Sequence, residues 1–445
     1  MLRFPPHLIR SFPLIIAAAA LACSGENLSA PATGSVQVTV ATTGADPDPD
    51  GYAVTVDGSD RGTLGVSGTL TVEGLGAGDH LVGLSGVAGN CQVQGGNPRT
   101  VSVAAGATAS ADFSINCTVP VPSQIVFISD QGPVRDVYIV NPDGSGLTNL
   151  TNGAAGSAEI PQWSPDRSKI VFEGGQFGGD IYVINADGTG LHNLTNTPPL
   201  EGLETEPVWS PDGTTIVFTK AISLDPDGDQ AATDVYTIRA DGSQLTPLTT
   251  TGQESQGGGL SWSPDGSRIA FTSDRGASSQ IFVMGSDGSG QTGITSAGTS
   301  FGPQWSPDGS RIAFLTSMAA PPEVWTVNPD GTNPIQLTNE PSDGKADLRW
   351  SSDGRKIVYT FAYRPSDIGG LGSDIWTMNA DGSGKVNVTN NKLDNTSPVW
   401  SPDGSQIAFV FGFGTGANAE VRVVSADGSG PQRNVSTRQG YRPDW

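Results

Sequence analysis

In DPDGDQAATD, Asp225, Asp227 and Asp229 place carboxylates at the alternation a calcium loop uses, and Asp234 offers a further oxygen. A loop of EF-hand type also needs Gly at its sixth position and Glu at its twelfth, whereas here Gly228 is fourth and Tyr236 twelfth. A solvated loop is therefore the preferred reading, with calcium as the alternative and the sole cofactor considered. A second acidic run, DPDPDG at 46–51, reads as an ordinary turn former. Nucleophilic chemistry has one candidate string, GTSFG at 298–302. A nucleophile elbow needs a strand before its Ser and a helix after it. This string is expected in a loop between two repeats. None of the three histidines, His7, His80 and His192, follows Ser300, as the triad order of that fold requires. A lone His192 in the long C-terminal part does not make a histidine metal centre, and no cysteine cluster suits zinc. No phosphate-binding GxxxxGK[ST] loop is present. No catalytic residue is assigned.

The elements that would carry such residues are repeated. WSPDGSRIAF occurs twice, at 262–271 and 305–314, and from about residue 121 the whole chain is periodic. Tryptophan recurs at Trp163, Trp209, Trp262, Trp305, Trp350, Trp400 and Trp445, at intervals of 43 to 53 residues. After the first six comes a turn, SPDG or a close variant, then a short apolar strand such as IVF or IAF. Ser opens a type I turn, Pro suits the next φ, and Gly supplies a left-handed residue. Arg167 stands in place of that Gly in one copy, where strain or a changed turn is expected. A third strand (DIYVI, DVYTI, EVWTV) leads to an Asp-Gly turn, and a fourth ends on NLT or its variants. Four strands per repeat of this length mark a β-propeller blade. The first repeat opens on a second strand at Gln124, and YRPDW at the end supplies a tryptophan strand without a successor. The expected fold is all-β: a seven-bladed propeller over 121–445, closed by the C-terminal strand so that no sheet edge is left open.

Ahead of the repeats, MLRFPPHLIRSFPLIIAAAALAC has Arg3 and Arg10 before an apolar run too short to span a bilayer. Residues 1–22 are read as an export signal and 23–33 as a tether. Ala20-Leu21-Ala22-Cys23 resembles a bacterial lipobox, which implies a lipid on Cys23 and membrane attachment; it also fits ordinary small-x-small cleavage. Residues 34–120 alternate apolar with polar in six or seven runs, the pattern of an Ig- or PEGA-like β-sandwich. Cys91 and Cys117 lie in this domain and can pair in an oxidising compartment. The net charge of −22 repels phosphate, so nucleic acid is excluded as a partner, and many of the aspartates sit in the repeated turns.

WSPDG-x-x-IAF followed by DIYV-x-x-x-DG and LT resembles the propeller repeat of TolB-type periplasmic proteins, over about 325 of the 445 residues. The resemblance implies the fold and an envelope setting. TolB-type proteins pair a different α/β domain with six blades, so a Tol–Pal role is not carried over. Related repeats occur in prolyl oligopeptidases and some polysaccharide lyases. The hydrolase domain of those peptidases is not expected here, since the repeats run to Trp445. Variable loops on a rigid scaffold carry specificity. These are the second-to-third and fourth-to-first connections, the longest expected at 219–233, 360–373 and 410–419. They bring Phe361, Tyr363, Arg364, Phe411 and Phe413, while first strands bring Glu159, Glu206, Asp347 and Arg442 near the channel mouth. Aromatics with Arg make interface anchors. The expected function is an exported, lipid-anchored module, periplasmic or at the cell surface, that binds an envelope protein or glycan. The alternative is a propeller hydrolase or lyase with a carboxylate or calcium site in the channel.

Overall fold

The computed structural model describes residues 33–44, 51–87, 91–117, 123–130, 132–175, 179–198, 202–250 apart from 225–229, 259–296, 298–317, 321–340, 344–363, 372–412, 419–436 and 439–445, the side chains of 222–224 and 230–232 excepted. Cys23, Arg364, Phe413, Asp225, Asp227 and Asp229 lie outside the described residues. Every regular element among the described residues is a strand. The chain divides into two compact units, one ending at Cys117 and the other running to Trp445.

The first unit holds eight strands: β1 (Gly34–Gly44), β2 (Tyr52–Val56), β3 (Ser59–Leu64), β4 (Ser67–Leu75), β5 (Gly78–Ser85), β6 (Cys91–Val93), β7 (Arg99–Val103) and β8 (Thr108–Cys117). They form two four-stranded sheets, ordered β4-β1-β8-β6 and β3-β2-β5-β7. The alternation in β1 and β8 turns Val36, Val38, Val40, Phe113 and Ile115 inward. Cys91 and Cys117 face each other across β6 and β8 and are joined by a disulfide. β3 and β6 exceed the expected strand count: SDRGTL has no apolar alternation and owes its pairing to β2, and β6 spans only three residues.

Among the described residues, the second unit contains seven four-stranded sheets. In six of them the strands follow chain order. In the remaining one, Tyr441–Asp444 pairs with Ile125–Ser129, with Tyr441 opposite Ile128 and Asp444 opposite Val126. The C-terminal strand thus completes the blade that the first repeat opens, as the sequence led us to expect. Blades are numbered one to seven from that composite blade. The first strands of blades two to seven are Glu159–Trp163, Glu204–Trp209, Leu260–Trp262, Thr299–Trp305, Gly344–Trp350 and Asn395–Trp400. Each touches the next, and Tyr441–Asp444 touches both the last and the first, so the ring is closed.

Packing explains the apolar strand motif. In blade two, Ile170 and Phe172 join the core shared with blade one, while Val171 joins the core shared with blade three. Blades four and five repeat this: Ile269 and Phe271, then Ile312 and Phe314, face backward, and Ala270 and Ala313 face forward. A strand covered on both faces needs three consecutive apolar residues rather than an alternation. The tryptophans bind successive blades. The indole N–H of Trp209 donates to Gln162 O (3.3 Å), that of Trp262 to Val208 O (3.3 Å), that of Trp350 to Gln304 O (3.2 Å) and that of Trp400 to Arg349 O (3.3 Å). In each case the acceptor is the residue just before the preceding blade's tryptophan.

The turn after each tryptophan is built by its own side chains. The Ser210 hydroxyl donates to Asp212 Oδ1 (2.6 Å) and accepts the Thr215 N–H (3.0 Å). Gly213 sits at φ 68°. Arg167 takes the same left-handed conformation, at φ 58°, so the turn is unchanged where a different one could have formed. Its side chain offsets the strain: Nη2 donates to Gln124 O (3.1 Å) and the guanidinium lies 5.1 Å from the Trp163 ring.

Candidate functional site

Three residues before each tryptophan the chain turns left-handed. The seven positions are Ile160, Glu206, Gly259, Gly302, Asp347, Ser397 and Arg442, with φ between 45° and 83°. In six blades the strand pairing slips at this point, so each inner strand carries a bulge. Five of the seven are not glycine, and a left-handed β-branched Ile160 is a clear outlier. Residues held this way cost roughly 1–3 kcal/mol each and concentrate where function needs a fixed geometry.

The bulges let one blade's carboxylate reach the next blade's backbone. The Glu206 N–H donates to Glu173 Oε1 (2.8 Å) and the Ser397 N–H to Asp347 Oδ2 (3.0 Å). A longer contact runs from the Gly259 N–H to Glu206 Oε2 (3.4 Å). A second tier lies one residue before the tryptophans: the Trp163 N–H donates to Asp444 Oδ2 (2.9 Å), the Trp209 N–H to Gln162 Oε1 (3.2 Å) and the Trp305 N–H to Ser261 Oγ (3.1 Å). Glu159 pairs with Arg135 and with Arg442 (3.6 Å). The site is thus a set of five carboxylates, Glu159, Glu173, Glu206, Asp347 and Asp444, interleaved with Arg135, Arg349 and Arg442.

Burial dominates the electrostatics. It pushes the Glu173 carboxyl up from 4.5 to about 7, against the Glu206 N–H and Arg442, with the Glu206 charge adding to the rise. Burial also raises Glu206 and Asp444 above the usual carboxylate range. A carboxyl that titrates near neutrality beside a second carboxylate can donate or accept a proton at working pH. Among the described residues, no group of three or more His, Cys, Asp and Glu side chains is placed to hold a metal ion.

The structure brings Glu159, Glu206 and Arg442 together and gives Asp347 the same left-handed position in blade six, but it places the expected aromatics elsewhere. Phe361 and Tyr363 end the strand Lys356–Tyr363, and Phe411 ends Gln406–Phe411. These are strand positions rather than loop positions, because the second and third strands run on as paired ribbons. The stretch expected as the longest loop is likewise mostly a hairpin, with Thr215–Leu224 paired to Gln230–Arg239. Phe361 is only 8% exposed and stacks near Trp376 (5.2 Å) and under Lys345 Nζ (4.5 Å). The Tyr363 hydroxyl donates to Asp374 Oδ2 (2.8 Å), and burial with that carboxylate pushes it up to about 12. Phe411 lies beneath the Arg422 guanidinium (3.4 Å). Asp234 is 2% exposed and accepts the Thr249 hydroxyl (2.8 Å), one case of an Asp–Thr contact that also joins Asp136 to Thr151 and Asp374 to Thr389. Ser300 corrects the loop expectation for GTSFG: it lies within the strand Thr299–Trp305, fully buried, with its hydroxyl on Thr316 Oγ1 (3.2 Å). The missed residues are Glu173, Asp444, Arg349 and Arg135. For Asp444 and Arg349 the available signal was the column before the tryptophans, polar in five copies (Gln162, Ser261, Gln304, Arg349, Asp444) and valine in two (Val208, Val399); Glu173 and Arg135 lie outside it.

The TolB beta propeller domain model matches residues 295–445. This part of the second unit carries the TolB-type propeller repeat. Two curated proteins named TolB are also similar to this chain. A protein TolB homolog of Chlorobium luteolum is 30% identical over 172 residues, 38% of this chain and 36% of that protein. A Tol-Pal system protein TolB of Anaeromyxobacter dehalogenans is 37% identical over 90 residues, 20% of this chain and 18% of that protein. The chain thus spans about a third or less of the length of these curated relatives. Among solved structures, an oligogalacturonate lyase in complex with manganese aligns with a TM-score of 0.56 at 16% identity, covering 68% of this chain and 86% of that one. That likeness is one of fold alone.

Proposed function

We propose that this chain is an exported protein of the bacterial cell envelope, anchored through a lipid on Cys23, whose TolB-type propeller binds an envelope protein or glycan at the mouth of its axis. The observation that supports this reading is the ring of left-handed residues. Turns and tryptophans repeat almost without change, whereas Ile160, Glu206, Gly259, Gly302, Asp347, Ser397 and Arg442 differ at one structural position. Variation at one structural position, on a scaffold whose turns and tryptophans repeat, suits a specific contact surface. The name of the Anaeromyxobacter relative makes an envelope protein the first partner class to test. The test is affinity capture from envelope extracts, with mass spectrometry of the eluates and of the Cys23 peptide. A discrete partner retained by the intact chain and lost on Glu206→Ala/Asp347→Ala/Arg442→Ala supports the proposal. An identical eluate from the triple variant, shown to be folded, would refute the choice of surface.

A second reading is favoured by Glu173 alone. A carboxyl held near 7 beside Glu206 suits a general acid–base step on a glycan. Release of new sugar ends from a polysaccharide panel, abolished by Glu173→Gln, would support it; no release at any pH between 5 and 8 would dismiss it.

A further inference from the structure

The repeat also shows where one of its parts is missing. Six residues after each of the first six tryptophans stand Lys169, Thr215, Arg268, Arg311, Lys356 and Gln406. Five of these are long. The Arg268 guanidinium lies 4.8 Å from the ring of Trp305 in the next blade. Lys169 Nζ reaches Asn185 Oδ1 (2.7 Å), and Arg311 reaches Asn328 Oδ1 (2.9 Å) and Thr326 Oγ1 (2.8 Å). Thr215 stops short, its hydroxyl meeting only its neighbour Thr214 (3.3 Å) among side chains. At that junction, between blades three and four, lies a cavity of about 680 Å³, lined among others by Thr215, Trp262, Leu248, Asp212, Asp265 and Asp287. It opens on the face of the uniform turns, opposite the variable connections.

We infer that this cavity is a binding site for an arginine side chain of a partner polypeptide, seated against Trp262 as Arg268 is seated against Trp305 within this chain. The wall chemistry fits a cation. The Ser210, Ser263 and Ser289 hydroxyls hold Asp212, Asp265 and Asp287 below the usual carboxylate range, Asp265 at about 2, so all three are charged at neutral pH. The basic residue in the lining, Arg239, is exposed and directs its Nη1 to Gln244 Oε1 (3.5 Å). The indole is fixed by its own donation to Val208 O (3.3 Å), so its ring is a preformed platform. A guanidinium gains from an indole face and from carboxylates together.

The test is a titration of the full chain, with ¹⁵N-labelled indoles, by acetyl-Gly-Arg-Gly-amide, its citrulline counterpart and acetyl-arginine-amide. The Trp262 resonance is assigned with Trp262→Phe. The arginine peptide should move that resonance with a Kd at least about tenfold below that of the uncharged citrulline peptide. Thr215→Arg, which installs the residue found in two other blades, should abolish the effect while leaving the Trp163, Trp209 and Trp400 resonances in place. Arg239→Gln should tighten binding by removing a like charge. Equal binding of the citrulline peptide, unchanged binding by Thr215→Arg, or no movement at all would overturn the inference. Binding of acetyl-arginine-amide as tight as that of the peptide would overturn its assignment to a polypeptide partner.

Discussion

If burial holds the Glu173 carboxyl near neutrality, the propeller must lose stability as that group ionises. The unfolded chain ionises it at 4.5, the folded chain at about 7. Between those values the folded state binds the extra proton, so stability falls as pH rises through this window and the loss is complete above it. A pKa displacement of this size corresponds to roughly 3 kcal/mol. Partial exposure reduces the expected contribution to roughly 2 kcal/mol. Glu206 and Asp444 are raised by burial as well and act in the same direction. The assay is urea unfolding at pH 5 and pH 8 of the intact chain and of Glu173→Gln, with the Glu173 carboxyl followed directly by ¹³C NMR. Glu173→Gln cannot ionise and should lose less stability than the native chain over the same interval, by roughly 2 kcal/mol. It should be the more stable of the two at pH 8. An identical pH dependence in both chains, or a ¹³C midpoint below 5, would refute the reasoning.

Three further outcomes follow from the framework. Trp209 and Trp305 are equally buried (5% and 6% exposed), but the Trp209 indole N–H donates to Gln162 O while that of Trp305 has no partner among the described residues. Trp209→Phe should therefore cost more than Trp305→Phe, by about 2 kcal/mol in denaturant unfolding, since one change loses a bond and the other removes an unpaired buried donor; equal costs would contradict this. Asp374 is fully buried and accepts from Thr389 Oγ1 (2.8 Å), Asn387 Nδ2 (2.8 Å) and the Tyr363 hydroxyl (2.8 Å), so Asp374→Ala should destabilise blade six by about 3 kcal/mol or more. Cys91→Ser/Cys117→Ser should lower the stability of the first unit by roughly 3 kcal/mol and leave the propeller transition unmoved in calorimetry.

The parts of the fold that local chemistry dictates were legible in the amino-acid sequence. Ser-Pro-Asp-Gly writes its turn in four residues, and Ile-Ala-Phe writes a strand buried on both faces. The pairing of the two chain ends follows from counting strands. What was not legible depends on neighbours far away in the chain. Glu173 meets Glu206 only because two blades lie side by side, so its burial leaves no local mark. Five of the seven left-handed positions carry ordinary side chains, so no glycine flags the ring; Glu206, Asp347 and Arg442 were picked for charge and strand position, without their backbone geometry. Phe361 looked like a loop aromatic because the apolar strand before it runs on further than in most other blades, and that extension makes it core. The cavity beside Trp262 is made by the shortness of Thr215, which shows only when six repeats are laid over one another.

The account rests on the pairing of the C-terminal strand with Ile125–Ser129, because this closes the ring and places Arg442 and Asp444 at the axis. Amide hydrogen exchange at residues 441–445 tests it most directly, read against the first strands of blades three and seven in the same sample. The account predicts protection of the same order in all three. Exchange of 441–445 at the rate of a free tail, with the other two strands still protected, would contradict it.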